Sequence, residues 1–468
     1  MLMVPDDVVC TFKKVLAEND ELRADVARLS DENTNLKQLL EASRRAGKRQ
    51  AAPFSKGIAK EQPKKPGRRA GAEYGKKAHR EPPDHVDETV AVGLPKFCEC
   101  GGCVEETGSA VQYQEEMPEP KPVVTRFDIS IGRCRECGRR VQGRDPRQTS
   151  DAIGAAGAQV GPKAQAMAGL VMKRLGLSAV KTREVMERTT GVIVTPGGLI
   201  QAAQRLGADA SPAYEALCEF VKTSPVVSPD ETGWRIGGRK AWLWTAATKN
   251  TTIYRIDYSR GFDVVMLLLG EHYSGIVVRD GWGPYRQLTE AEHQTCLAHL
   301  CRRCDEILEV ARGRAREIPL AVRAILKDAL AVRDRRDLDE LDDRGVRREF
   351  KKLQRRMIAL LERPSITYDE NRKLLNHLDT EYDALFTFLR HRDVDATNWR
   401  AEQAIRPAVV NRKVSGGNRT VRGARTQEVL MSVMQTCRQR GVDVIDFLSD
   451  VQHRQPSGSP LLVPIGSG

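Results

Sequence analysis

The spacing of hydrophobic residues changes along the chain, and its first section follows a seven-residue repeat. One set of positions in this repeat holds Val15, Leu22, Leu29 and Leu36, and the other holds Phe12, Asn19, Val26, Asn33 and Leu40. Such a repeat predicts a coiled coil, and asparagine on its seam favours a two-stranded parallel pair. We therefore predict a coiled-coil helix over residues 1–43, with a helix that packs on its own chain as the alternative.

Two further patterns precede the centre of the chain. Hydrophobic and polar residues mostly alternate from Val123 to Ile131, which predicts a strand with one buried face and a small β-rich module over residues 91–145. Residues 146–222 contain stretches rich in alanine and leucine and predict a helical region. Residues 177–199 within it are consistent with a helix, a turn and a second helix, as in a DNA-binding helix-turn-helix or in a generic helical bundle.

From about residue 224 the pattern changes to short β-branched and aromatic runs, which predict strands. These runs lie at residues 226–227, 241–245, 252–256 and 275–278. Gly237-Gly238 would close the first hairpin. A charged helical stretch follows, and a helix that carries Glu402 comes after it. We predict an α/β core over residues 223–440 with a helical insertion at about 290–394, and a C-terminal tail over residues 441–468.

Length and charge point to several domains and to nucleic acid. A chain of 468 residues is too long for one hydrophobic core, and its formal net charge is +12. Between Arg44 and Arg80 there are thirteen lysines and arginines and two acids. We predict a basic DNA-binding linker over residues 44–90, with a solvated linker as the alternative. Its candidate DNA contacts are Lys64, Lys65, Arg68 and Arg69.

Hydropathy and cysteine content indicate an intracellular location. The strongest hydrophobic run, Val264 to Leu269, is far shorter than the ~20 residues that span a bilayer. The first residues lack a basic segment followed by a hydrophobic one, as a signal peptide would have. Five of the eleven cysteines lie between Cys98 and Cys137, which indicates metal binding in a reducing compartment. We expect no membrane partner.

The clustered cysteines predict a structural zinc site. Four thiolates in two closely spaced pairs can hold Zn²⁺ tetrahedrally. Cys134 and Cys137 form one pair, and Cys100 and Cys103 form the favoured second pair, with Cys98 as an alternative ligand. Free cysteines in a core are the other interpretation.

A second cysteine cluster lies where the helical insertion begins. It comprises Cys296, His299, Cys301 and Cys304. On one continuous helix these side chains point in directions well over ~100° apart, so all four cannot reach one ion. We predict a structural helix here, with His299 as a candidate residue facing the catalytic site.

Three acidic residues in separate motifs form the candidate catalytic site. Asp230 and Asp280 each follow a strand-like run, and Glu402 lies on a later helix. Two divalent cations roughly 3.5–4 Å apart need converging carboxylates, and they stabilise both the attacking and the leaving oxygen of phosphoryl transfer. Glu231 would point to the opposite face of its strand. On spacing alone, each acid is also compatible with a solvated surface charge.

Arginine and glycine are concentrated in residues 411–425, directly after Glu402. A loop of this composition beside a metal site suits contact with a phosphate backbone. The candidate DNA contacts in this part of the chain are Arg406, Arg412, Lys413 and Arg419.

Together these motifs resemble the DDE transposases of the insertion-sequence-sixty-six family of bacterial mobile elements. The matching segments are residues 230–234, 280–285, 295–299 and 398–407, with Arg412 and Lys413 after them. The basic arm and the paired-cysteine module are also similar to that family. The first cysteine pair departs from the family's usual C-P-x-C-G, because this chain is one residue short there. That departure makes Cys98 with Cys100 the alternative pairing.

The resemblance implies a ribonuclease-H-like DDE core in which Asp230, Asp280 and Glu402 hold two Mg²⁺ ions, with Mn²⁺ as an alternative. It implies a transposase that binds the terminal inverted repeats of its element, cleaves DNA strands and joins them to target DNA. Paired cleavage would need a homodimer or a higher oligomer at the nucleoid, in the bacterial cytoplasm. The alternative is a dimeric zinc-containing DNA-binding regulator with an inactive nuclease-like core.

Overall fold

The structure, a computed structural model of the chain, describes residues 18–33, 80–153, 158–364 and 366–453. The chain forms two compact units, Met1–Pro118 and Glu119–Gly468. In the first unit, residues 18–33 are helical and form α1. Leu22, Val26 and Leu29 are exposed on this helix. The heptad positions before residue 18 and after residue 33 lie outside the described residues.

The second unit begins with a short antiparallel pair of strands, β1 (Ile131–Arg133) and β2 (Arg140–Gln142). In the described chain before them, residues 121–130 have no regular secondary structure. The predicted strand from Val123 is therefore wrong up to Ile131. Val123 is 97% exposed, so the alternating pattern has no face to bury and no neighbouring strand to pair with.

Four helices separate this hairpin from the central sheet. They are α2 (Pro162–Gly169), α3 (Ala179–Thr190), α4 (Pro196–Asp209) and α5 (Ser211–Lys222). The predicted helix, turn and helix at residues 177–199 are therefore present. The Ser178 side chain accepts a hydrogen bond from the backbone of α3, and Thr195 does the same for α4, so both helices begin at capping residues.

A five-stranded mixed sheet lies at the centre of the second unit. Its strands are β3 (Val226–Ile236), β4 (Arg239–Ala247), β5 (Thr252–Asp257), β6 (Ile276–Arg279) and β7 (Glu292–Thr295). The order across the sheet is β5-β4-β3-β6-β7. The first three strands form an antiparallel meander, and β6 and β7 run parallel to β3. Gly237 and Gly238 have positive φ and close the β3–β4 hairpin, as predicted.

Two features of the sheet differ from the prediction. Residues 292–295 form β7, although the sequence placed them at the start of the helical insertion. Strand β7 is polar throughout, so it carries no hydrophobic signal. Asp230 lies within β3 and not at its end, because β3 continues along β4 after its parallel pairing with β6 stops at Val227.

The helical insertion lies between β7 and the helix that carries Glu402, after α6 (Phe262–Leu269) has joined β5 to β6. Its helices are α7 (Leu297–Val310), α8 (Glu317–Asp337), α9 (Asp343–Leu361), α10 (Asp369–Thr380) and α11 (Thr387–Arg390). Leu300, Leu326 and Leu374 belong to its hydrophobic core, and Val278 of β6 belongs to the same core. The insertion therefore packs directly against the sheet.

The last helices return to the sheet. They are α12 (Trp399–Ser415), α13 (Val421–Gln439) and α14 (Val444–Gln452). Helix α13 packs on β5, and α14 packs on α2. Phe447 and Leu448 of α14 are buried in the main core, so the segment predicted as a tail folds as far as Gln452. Within the described ranges, no helix is both long enough and apolar enough to cross a membrane.

Candidate functional site

The sheet and α12 bring the three predicted carboxylates together. Asp230 lies on β3, Asp280 directly follows the adjacent strand β6, and Glu402 lies in the first turn of α12. The pKa of Asp230 is raised to about 7, mainly by burial and also by the negative charges of Glu231, Asp280 and Glu402, while the hydrogen bond from the Glu231 N–H lowers it. Asp230 therefore holds a proton through much of the neutral range unless a cation displaces it.

A backbone N–H orients the carboxylate of each aspartate. The N–H of Glu231 donates to Oδ1 of Asp230 at 2.9 Å, and the N–H of Trp282 donates to Oδ1 of Asp280 at 2.9 Å. Both bonds are local, so each carboxylate is fixed by the turn or strand that carries it. The hydrogen bond from Glu231 favours the ionised form of Asp230, which is the form that binds metal.

Asn398 joins α12 to the strand that carries Asp230. Its side-chain Nδ2 donates to the backbone carbonyl of Pro229 at 2.8 Å, and its backbone carbonyl accepts from the N–H of Glu402 at 3.1 Å. Asn398 is buried, so both bonds are shielded from water. No role for Asn398 was predicted from the sequence, although it lies four residues before Glu402.

A buried ion pair supports Asp280 from the insertion. The guanidinium of Arg279 donates to Glu381 at 2.8 Å and to the carbonyl of Asp280 at 3.0 Å. The side chains of Arg279 and Glu381 are 2% and 0% exposed, and Arg286 donates to the other oxygen of Glu381 at 2.9 Å. The sequence did not predict this contact, because Glu381 lies 102 residues after Arg279.

Glu231 has a different environment from Asp230, as the strand alternation predicts. Its side chain is 2% exposed and accepts hydrogen bonds from Arg260 at 2.7 Å and from the Tyr285 hydroxyl at 2.8 Å. The Arg260 guanidinium also stacks on the rings of Trp242 and Trp282. The negative charge of Glu231 is therefore balanced by the guanidinium of Arg260.

Cys296 and His299 lie beside Glu402. Nε2 of His299 is 4.0 Å from Oε1 of Glu402, and one ligand atom from each of the three residues lies within 4.8 Å of the others. Burial raises the pKa of Cys296, but the neighbouring His299 and the N–H of Asn398 together bring it below its ordinary value. His299 therefore lies beside the candidate site residue Glu402. Cys304 points instead into the insertion core, so the four-residue cluster does not converge.

Comparison with known proteins assigns the chain to a family. The family model described as "Transposase IS66 family" matches residues 161–426, which is more than half of the chain. The chain belongs to this family. The match runs from α2 into α13, so it includes all five strands of the central sheet, the insertion and the three carboxylates of this IS66-family transposase domain.

One curated relative of this family member is a protein of Sinorhizobium fredii (strain NBRC 101917 / NGR234), "Uncharacterized protein y4qI". It is 26% identical over 309 residues, which cover 59% of this chain and 56% of that protein. The chain therefore matches only about half the length of that relative.

The arginines and lysines predicted to contact DNA have different environments in the transposase domain. Arg406, Lys413 and Arg419 are exposed on α12 and on the loop after it. Arg412 is partly buried, and its guanidinium donates to the Thr232 hydroxyl at 2.9 Å and to the carbonyl of Gly233. Arg412 therefore fastens α12 to β3. The candidates Lys64, Lys65, Arg68 and Arg69 lie outside the described residues.

The loop after α12 is fixed to the tip of the β3–β4 hairpin. The N–H of Gly237 donates to the carbonyl of Asn418 at 2.8 Å, and the Trp234 indole donates to its side chain at 2.8 Å. Gly417 has φ 113°, and a Cβ there would approach the Arg235 carbonyl oxygen to 2.4 Å. Only glycine fits at this position, and the contact presents Arg419 from a fixed loop.

The two cysteine loops of this chain lie in separate units, and each has a compact local structure. In the first unit, the N–H of Cys98 donates to the carbonyl of Gly102, and backbone and side-chain hydrogen bonds from Cys100 lower the pKa of Cys98. In the second unit, the N–H groups of Cys137 and Glu136 lower the pKa of Cys134. Such hydrogen bonds stabilise thiolates, which are the form that binds zinc.

Proposed function

We propose that this chain is a DDE transposase that binds the ends of an insertion sequence, cleaves DNA strands there and joins them to target DNA. The observation that carries the proposal is the convergence of Asp230, Asp280 and Glu402 in a member of a transposase family. Among the described residues, no lysine or arginine forms an ion pair with any of the three. Glu231, by contrast, is matched by Arg260. The triad is therefore suited to receive its counter-charge from bound cations.

The order of the strands supports a ribonuclease-H-like core. An antiparallel meander, β3 to β5, continues into two parallel strands, β6 and β7, with β3 in the middle of the sheet. Two of the carboxylates come from the adjacent central strands β3 and β6, and the third comes from α12. This arrangement, with the insertion placed before α12, is the one that the family resemblance implies.

The donor set fits Mg²⁺, with Mn²⁺ as the alternative. Carboxylate oxygens are the ligands that these hard cations prefer, and Asp230, Asp280 and Glu402 would hold them. Two such cations held by these residues would supply activation of the attacking oxygen and stabilisation of the leaving one. Asp230 gives up its proton to become a ligand, Asn398 holds Glu402 against β3, and Arg279 fixes the backbone of Asp280.

The DNA would lie along the exposed basic residues near this site. Arg406, Lys413 and Arg419 are the candidates for phosphate contacts in the described part of the chain, together with the basic linker over residues 44–90. The exposed Leu22, Val26 and Leu29 support a homodimer or higher oligomer through residues 1–43. We place this activity at the nucleoid of a bacterial cytoplasm, where both the element ends and the target DNA are present.

A cleavage assay separates this proposal from the alternative of a DNA-binding regulator with an inactive core. The full-length chain is incubated with DNA that carries the ends of its element, with Mg²⁺ and then with a chelator. A transposase cleaves at the ends and joins them to a second DNA only when Mg²⁺ is present. Binding of the same DNA with no cleavage under either condition would favour the regulator.

From the spacing of the cysteines in the sequence we propose one structural zinc site per chain, with Cys134 and Cys137 as one ligand pair and two of Cys98, Cys100 and Cys103 as the candidate second pair. We expect one tightly bound zinc per chain in elemental analysis of the purified full-length protein. Cys134→Ser or Cys137→Ser should release it, because a structural zinc site needs all four ligands. Cys218→Ser, on α5, serves as the control that should keep it. Purified protein without zinc would contradict the proposal.

A further inference from the structure

We propose that Cys296, His299 and Glu402 form a second metal site, which takes Zn²⁺ or a similar borderline cation and removes Glu402 from the Mg²⁺ site when it is occupied. The binding of the cation depends only on the geometry of these three residues. Its effect on cleavage rests on the proposed function of Glu402.

The three ligand atoms are already close to the spacing of a single ion. They lie within 4.8 Å of one another, and Nε2 of His299 is 4.0 Å from Oε1 of Glu402. At bond lengths of ~2.0–2.3 Å, tetrahedral ligands of Zn²⁺ are roughly 3.3–3.8 Å apart. Small side-chain rotations are therefore enough to close the site around an ion.

The chemistry of the ligands separates this site from the neighbouring carboxylates. A thiolate, an imidazole and a carboxylate suit Zn²⁺, whereas Mg²⁺ prefers oxygen ligands alone. Three protein ligands also leave a fourth position open for water. We therefore expect Zn²⁺ to select this site even when Mg²⁺ is in large excess.

The protein positions these ligands from two sides. Cys296 directly follows β7, its N–H donates to the carbonyl of Arg279 at 2.8 Å, and its sulfur accepts from the N–H of Asn398 at 3.2 Å. In the described part of the chain, Nδ1 of His299 is buried without a hydrogen-bond partner. A buried ring nitrogen without a partner is costly, and a metal ion held through Nδ1 would satisfy that nitrogen.

Cobalt provides a direct test, because a thiolate bound to Co²⁺ gives a charge-transfer absorption band. The full-length chain is purified with a single equivalent of zinc and is then titrated with Co²⁺ in excess Mg²⁺. The matched variants are Cys296→Ala and Cys301→Ala, since both cysteines lie at the start of the insertion and Cys301 does not reach the site. The difference between their spectra removes any contribution from the cysteine loops.

We expect the band in the unmodified chain and in Cys301→Ala, and its loss in Cys296→Ala. His299→Ala should weaken Co²⁺ binding by more than ~10-fold, the smallest loss typical even of an outer-sphere partner. The His299 side chain is partly exposed, so we expect His299→Ala to fold. This variant therefore tests the site even if Cys296→Ala does not fold. Identical titrations of the unmodified chain and His299→Ala would overturn the proposal.

A cleavage assay then tests the second part. Zn²⁺ should inhibit Mg²⁺-dependent cleavage by the unmodified chain, and His299→Ala should reduce this inhibition at least tenfold in Zn²⁺ concentration. If the chain binds cobalt but does not cleave DNA, the metal site is supported and the proposed function is contradicted. Cobalt binding with cleavage that Zn²⁺ does not inhibit would overturn the competition for Glu402.

A second surface follows independently from α9, and we propose that it binds the phosphate backbone of DNA. Arg344, Arg347, Lys351 and Arg355 are exposed at intervals of three or four residues, so they form one stripe along the helix. In the described chain none of the four forms an ion pair with an acidic residue. The cations one position further along, Arg348, Lys352 and Arg356, are instead paired with Glu349 or Asp328.

These two sets provide matched variants on a single helix. In the triple variant Arg347→Gln, Lys351→Gln and Arg355→Gln, the salt dependence of DNA binding should fall by up to about 0.9 in slope for each lost phosphate contact. The control Arg348→Gln, Lys352→Gln and Arg356→Gln has the same change in charge and should alter the slope much less. Binding is measured by fluorescence anisotropy over a range of salt. Equal changes in both variants would overturn the proposal, because net charge would then explain the effect.

Discussion

Asp230→Asn, Asp280→Asn and Glu402→Gln are each expected to reduce Mg²⁺-dependent DNA cleavage by at least about 10²–10³-fold, the loss typical when one electrostatic stabiliser is removed from a transition state. Each change keeps the size of the side chain and removes the charge that holds a cation. DNA binding should remain, because the proposed phosphate contacts come from other residues. Cleavage of labelled DNA ends and a binding titration on the same samples measure the two effects.

Two further variants make this result specific. Glu306→Gln removes an exposed carboxylate of α7 and should leave cleavage unchanged. Glu231→Gln should lower stability, because Arg260 and Tyr285 lose a buried partner, while the folded protein still cleaves. Near-normal cleavage by any one of the three triad variants would remove that residue from the site.

Glu381→Ala is expected to destabilise the protein by about 3–5 kcal/mol, because it leaves the buried guanidinium of Arg279 without its partner. The same change loosens the backbone that carries Asp280, since Arg279 also donates to the Asp280 carbonyl. Cleavage should therefore require a higher Mg²⁺ concentration. Urea unfolding and a Mg²⁺ titration of cleavage measure the two consequences.

The control for this prediction is Asp369→Ala, which breaks the exposed ion pair with Arg372. Exposed pairs contribute about 0–1 kcal/mol, so its unfolding transition should stay near that of the unmodified chain. A similar transition for Glu381→Ala would show that the buried pair does not hold the insertion against the sheet.

The sequence predicted those parts of the site that depend on local pattern. The hydrophobic run before Asp280 and the Gly237-Gly238 turn are short-range signals, and both specify backbone geometry within a few residues. The helix, turn and helix predicted over residues 177–199 are a further example, since α3 and α4 lie there. His299, at the start of the helix that opens the insertion, lies next to Glu402 in the structure.

Contacts between residues that are far apart in the sequence could not be predicted from such local patterns. Glu381 resembles any other acid on a charged helix, and only the folded insertion brings it to Arg279. Arg412 resembles a phosphate contact until α12 packs on β3 and turns its guanidinium towards Gly233. Strand β7 has no hydrophobic pattern, because its polar side chains bond to the insertion. The N–H of Phe388, for example, donates to the Gln294 side chain, while the backbone of β7 pairs with β6. Each case depends on the insertion or on α12.

The position of the insertion in the chain also sets the order in which the site is completed during synthesis. All five strands of the sheet, with Asp230 and Asp280, leave the ribosome before the insertion does, and α12 leaves after it. A nascent or truncated chain that ends within the insertion therefore carries two of the three carboxylates. On the proposed function, such a chain lacks Glu402 and is not expected to cut DNA.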